Sequence, residues 1–153
     1  MNQSFTRYRD TTSGSAGYTY GTGLWNATDA DIPAWQAFRG ATYMQYLYDF
    51  FAALDEGQPF QPRHELITNQ AKRYRDRMVL RVSADGMTYA AFLPKGGTIS
   101  VDLTALAGTT VGVTWYNPLT GQYYDQGTTS GGAVRSFVSP FGTSQAALVL
   151  MAQ

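Results

Sequence analysis

From about residue 77 to the C-terminus, apolar and polar side chains alternate with period two. This pattern predicts strands at about 77–84, 87–93, 97–103, 110–116, 122–128, 133–139 and 145–151. Turn residues stand between them: Ala84-Asp85-Gly86, Pro94 to Gly97, Ala107-Gly108, Asn117 to Gly121, Ser130-Gly131-Gly132 and Pro140-Phe141-Gly142. Val111, Val113 and Trp115 fall on one face of their strand, which places Trp115 in the core. Ala146 to Met151 is nearly all apolar, the mark of a central strand buried on both faces. Short strands at this spacing predict an antiparallel sandwich with Greek-key connections.

Upstream the period changes to that of a helix, over about residues 31–55. Asp31 is an N-cap and Pro33 stands at the first helical position. Met44, Leu47, Phe51 and Leu54 make one apolar stripe, and Tyr43, Tyr46 and Phe50 a second about 100° round the axis. Trp35 and Phe38 extend the apolar surface toward the N-terminus. Two stripes are more than a helix lying on a single sheet requires. Gly40, inside the helix, costs about 1 kcal/mol against alanine and marks a close approach or a break. Glu56-Gly57 ends the helix, and Pro59 and Pro62 forbid its continuation. Residues 57–76 form a connector, extended at Gln58 to Pro62 and anchored by Leu66 and Ile67. Residues 1–24 read as loop, with a short strand at Tyr18-Thr19-Tyr20. The fold class is mainly β: an antiparallel sandwich of about seven or eight strands preceded by one long α-helix.

Composition narrows the function classes. Only 14% of the 153 residues are charged, and the chain has 11 tyrosines. Such a surface is polar through Thr, Ser, Asn, Gln and Gly, as in many extracytoplasmic and sugar-handling modules. The net charge of +0 gives no bulk attraction for nucleic acid. There is no cysteine, hence no disulfide, thiolate nucleophile or thiolate metal site. No signal peptide is visible, and no apolar run approaches a membrane span, so no membrane association is expected.

Candidate chemistry is sparse. His64 is the only histidine and stands in the connector, so His-based metal sites and Ser-His-Asp triads have little to draw on. The carboxylates show no spacing that marks a glycosidase pair: Asp31 reads as a cap, Asp85 as a turn residue, and Asp55 and Glu56 as solvated helix-end charges. The basic run from Lys72 to Arg81 reads as a solvated strand face or as one side of interdomain salt bridges. No glycine-rich phosphate loop is present. No catalytic residue, metal ligand or cofactor is therefore assigned. Around the Asn117–Gly121 turn, Tyr116 and Tyr124 are candidate stacking platforms for sugar rings.

The block Asp85-Gly86, Phe92 to Gly97, Val101 to Leu103, Leu106 to Gly108, Trp115 to Gly121 and Ala147 to Leu150 resembles a known module. It is similar to the small C-terminal β-sandwich, labelled collagen-binding, of apiosidase-like glycoside hydrolases, which follows a (β/α)8 barrel. Ala16 to Gly21 resembles the last barrel strand, with Tyr18 where the family has histidine. Trp25 matches the family's next tryptophan, and Arg39 to Phe51 resembles the final barrel helix. The resemblance implies that residues 1–62 are a barrel remnant and residues 63–153 an ancillary sandwich. It also implies that the catalytic carboxylates lie on earlier barrel strands that this chain lacks. Tyr18, Tyr20 and Trp25 become candidate ligand contacts. The expected partners are the missing barrel portion, a glycan and, through helix 31–55, a second copy of the chain. The parent protein is expected to be secreted or periplasmic. The rival expectations are a glycan- or collagen-binding module and a glycosidase completed by another chain or by oligomerisation.

Overall fold

The alternating pattern becomes eight strands in the computed structural model, which describes residues 39–54 and 59–153. They are β1 (Phe60–Pro62), β2 (Val79–Ser83), β3 (Thr88–Leu93), β4 (Thr98–Asp102), β5 (Thr110–Asn117), β6 (Gln122–Ser130), β7 (Val134–Val138) and β8 (Ala146–Ala152). Among the described residues one α-helix, α1 (Arg39–Leu54), precedes them. The expected helix start at Asp31, and Trp35, Phe38, Glu56, Tyr18, Tyr20 and Trp25, lie outside the described residues. By compactness the chain divides between Gln45 and Tyr46, inside α1; the packing below concerns residues 46–153.

All pairings among the described residues are antiparallel. Six strands form one sheet in the order β1-β2-β3-β8-β5-β6, and β4 and β7 pair alone as a second. The inner face of the large sheet supplies Leu80, Val82, Tyr89, Ala91, Leu93, Val111, Val113, Trp115, Leu148 and Leu150. The small sheet supplies Ile99, Val101 and Phe137 to the same core. Each fully buried Leu or Ile contributes about 2 kcal/mol through removal of its surface from water. Trp115 is fully buried as expected, and its indole N–H donates to Gln126 Oε1 at 3.0 Å. The polar end of the ring therefore costs no unmade hydrogen bond.

The central position of β8 explains its composition. It pairs with β3 on one side and β5 on the other. Ala146, Leu148 and Leu150 face the inter-sheet core, while Ala147 and Val149 face outward and are buried as well. What covers them is α1. Phe50, Tyr116, Ala147 and Val149 form a second apolar cluster, flanked by Tyr46, Leu54 and Phe92.

Two expectations need correction. β1 is a three-residue edge strand paired only with β2, where an extended connector was expected. It is too short for an alternation to register, and Pro62 is tolerated because an edge strand leaves one side unpaired. The basic run is a solvated strand face only at Arg81, which is exposed in β2. β2 begins only at Val79, and Lys72 to Arg77 lie in a loop with a single 3-10 turn at Tyr74–Asp76.

Candidate functional site

The most distinctive arrangement in the described residues is the grip of the large sheet on α1. Three sheet features make it. Tyr116, in β5, points to the outer face because it follows the inward Trp115. Its ring lies 4.8 Å from that of Phe50, and its hydroxyl donates to the Tyr46 carbonyl at 2.7 Å. Tyr123, opposite Tyr116 in β6, continues the aromatic surface with ring centroids 4.7 Å apart. The β5–β6 turn contributes Gly121, at φ +72°, over which the Tyr46 ring is seated. A methyl group there would stand 2.7 Å from Tyr46 Cδ1, so only glycine leaves room for this ring.

The helix divides its two stripes except at Leu54, which belongs to the first stripe by spacing but packs with the second. Tyr46 and Phe50, with Leu54, face the sheet. Leu47 and Phe51, with Tyr48 beside them, are exposed at 43%, 46% and 69%. This is an apolar surface on the side of α1 turned away from the sandwich.

Tyr116, expected as a ligand contact, is instead only 2% exposed and covered by α1. Its burial raises its hydroxyl pKa, with lesser contributions from Tyr123, Asp49 and Tyr46. Its observed work is to hold the helix. Tyr124 remains accessible, with its hydroxyl donating to Gln122 Oε1 at 2.9 Å and its ring edge-on to Phe141 at 5.1 Å. Sequence reasoning overlooked Tyr123 as the ring partner of Tyr116; its place directly across from Tyr116 in the hairpin was the available signal.

A cleft of about 290 Å³ opens at the opposite end of the sandwich, lined by Arg63, Asp85, Tyr89, Asp102, Thr104 and Leu106 among others. It holds two carboxylates, and their chemistry is informative. Asp85 accepts hydrogen bonds from the Ser83 hydroxyl and the Met87 amide, which hold it below the usual carboxylate range. Asp102 is lowered by the Thr104 amide and then by the Thr104 hydroxyl. A glycosidase general acid needs a carboxyl whose pKa is raised. Both groups here are shifted the other way and serve as turn-forming acceptors. His64 is likewise structural, its Nδ1 accepting the Leu80 amide at 3.1 Å. Among the described residues no three His, Cys, Asp or Glu side chains gather to hold a metal ion. Nor, among them, is any helix long and apolar enough to cross a membrane.

Comparison with known proteins agrees with this architecture. Residues 61–152 match the family model described as "Putative collagen-binding domain of a collagenase". Two solved structures share the fold at a TM-score of 0.65 and 19% identity over 75% of this chain. One is titled a glycoside hydrolase, and the other is a glycoside hydrolase family 5 protein from Bacteroides vulgatus. The chain spans about a quarter of their length, 26% and 25% respectively. No curated protein matches. With 61–152 covering more than half of its length, and with the two-sheet sandwich those residues form, the chain belongs to this collagen-binding-domain family.

Proposed function

We propose that this chain is the non-catalytic ancillary part of a glycoside hydrolase and that it braces the catalytic barrel through α1. The observation that carries this reading is the division of the helix. One stripe is locked to the sheet by Phe50, Tyr46 and the Tyr116 hydrogen bond. The other leaves Leu47, Tyr48 and Phe51 exposed. Contiguous exposed apolar surface of this kind marks an interaction site. A helix shared between two bodies makes a stiff joint, because its backbone hydrogen bonds resist bending. The shared fold with proteins titled glycoside hydrolases supports the nature of the second body. The depressed carboxylates of the cleft support the absence of catalysis from the sandwich itself.

The test has two arms. The purified chain should show no turnover of aryl glycosides or pectic glycans; hydrolysis at an ordinary enzyme rate would refute the non-catalytic reading. In the intact enzyme that carries this domain, Leu47→Glu with Phe51→Glu should lower the melting temperature of the barrel and leave that of the sandwich unchanged. An unchanged barrel would refute the bracing.

Glycan contact is a second reading, favoured by Tyr124, which is 40% exposed beside the β5–β6 turn. Calorimetry against a glycan panel, with a collagen triple-helical peptide as the competing ligand, separates it from the activity in the family's description.

A further inference from the structure

The basic run takes no part in holding α1, and its loop is built to project. Gln70 closes its base: Nε2 donates to the Met78 carbonyl at 2.8 Å, and Oε1 accepts the Met78 amide at 2.8 Å and the Ala71 amide at 3.0 Å. Asn69 fastens the same base to β4, donating to the Thr98 carbonyl at 2.9 Å and accepting the Ser100 amide at 2.8 Å. Between Gln70 and Met78 the chain displays Lys72, Arg73, Arg75 and Arg77, all exposed. In their midst Tyr74 is 88% exposed. The loop's single acid, Asp76, is turned inward, with its carboxylate 3.0 Å from Lys95 Nζ and 3.7 Å from Arg75 Nε.

That ion pair joins the loop to the β3–β4 turn, and the contacts continue. Gly97 donates to the Gly142 carbonyl at 2.9 Å and accepts the Ser139 amide at 2.8 Å, linking the turn to the β7–β8 loop. Phe141 of that loop meets Tyr124 at 5.1 Å. A connected set of loops at one end of the sandwich thus carries five cations and two exposed tyrosine rings.

We propose that this end of the sandwich binds an anionic polysaccharide, a chain of sugar rings bearing carboxylate or sulfate groups. An exposed tyrosine stacks on the apolar face of a sugar ring, while cations on either side of it take the acidic substituents. Neither component explains the other: solvation alone would not set an 88% exposed ring among four cations on a pinned loop. The charge is focal, since the whole chain is neutral and the remaining surface is therefore net acidic. A duplex nucleic acid, with a charge for every ~1.7 Å of its axis, calls for a broader positive field than one loop supplies. The proposal deepens the glycan-contact reading and is independent of bracing through α1.

The test is affinity electrophoresis and calorimetry of the purified chain with polygalacturonate, dextran sulfate, neutral dextran and duplex DNA, at two salt concentrations. Polygalacturonate or dextran sulfate should bind, more weakly at the higher salt, and the stronger of the two names the acidic group. Arg73→Ala with Arg77→Ala should weaken binding about tenfold or more, and Tyr74→Ala about threefold to tenfold. Melting temperatures should stay unchanged, because these side chains are exposed. Binding that ignores Tyr74→Ala, or that is as tight for DNA, would overturn the proposal in favour of unspecific polyanion adsorption. Binding of neutral dextran alone would overturn it while preserving glycan contact, and binding of none of the glycans would overturn both.

Discussion

The Tyr116 hydroxyl donates to the Tyr46 carbonyl across 2.7 Å, tying β5 of the large sheet to the backbone of α1. The two residues are 70 positions apart in the chain. The bond lies over a buried aromatic contact with Phe50, so water has poor access to replace it. Tyr116→Phe keeps the ring and deletes only this bond; it should lower unfolding stability by about 1 kcal/mol. Tyr116→Ala also empties the space beneath the helix and should cost about 3–5 kcal/mol. Urea unfolding checks both. The Phe variant should shift the midpoint without changing the slope.

Gly121 tests the same interface from the turn. Gly121→Ala combines strain at φ +72° with a collision against the Tyr46 ring, and should cost about 2–4 kcal/mol. Gly127 is the control. Its φ is +78°, but nothing stands within 4 Å of an added methyl group, so Gly127→Ala should cost only about 1–2 kcal/mol. Thermal melts of the two variants give the difference, which measures the seating of Tyr46.

The outer stripe of α1 makes a prediction about association. Taken without a barrel, the chain should self-associate through Leu47, Tyr48 and Phe51. Leu47→Glu with Phe51→Glu should give a monomer, with stability changed by less than about 0.5 kcal/mol because both sites are exposed. Light scattering with a parallel urea titration checks this; a wild-type chain that is monomeric at high concentration contradicts it.

Acid stability follows from the turn carboxylates. Asp85, Asp102 and Glu65 all have folded pKa values below their unfolded ones, through the Ser83 hydroxyl, the Thr104 amide and the Arg63 side chain respectively. A lowered folded pKa means that the unfolded chain binds protons more readily. The stabilisation is thus complete above the ordinary carboxylate values of 3.8 and 4.5 and is lost as pH falls through the folded values. Urea midpoints should be level from pH 7 to about 5 and decline below about 4. Asp102→Asn should make that decline shallower.

Much of the sandwich was legible in the chain. Strand existence followed from alternation, since one face of β3 and β4 is buried and the other is more open. The apolar run of β8 revealed burial on both faces before its neighbours were known. Trp115 was placed in the core by the parity of Val111 and Val113. β1 was not legible as a strand, because three residues carry no period and its pairing is decided by β2. The isolation of β4 and β7 as a sheet of their own was equally hidden: alternation shows that a strand has an inner face, and not which sheet it joins.

The helix shows where sequence ends and tertiary structure begins. Sequence by itself determined that α1 carries two apolar stripes and therefore calls for two surfaces, because spacing on a 3.6-residue turn sets which side chains share a face. It also determined that the chemistry of a glycosidase pair is not spelled out in its carboxylates. Only the fold decided which stripe meets the sheet. The aromatic stripe meets it, through a carbonyl within reach of Tyr116 and a ring that fits over Gly121. The same choice moved Tyr116 from a candidate ligand platform into the grip on α1, and left Leu47 and Phe51 facing outward. Periodicity counts faces; contact between residues distant in the chain assigns them.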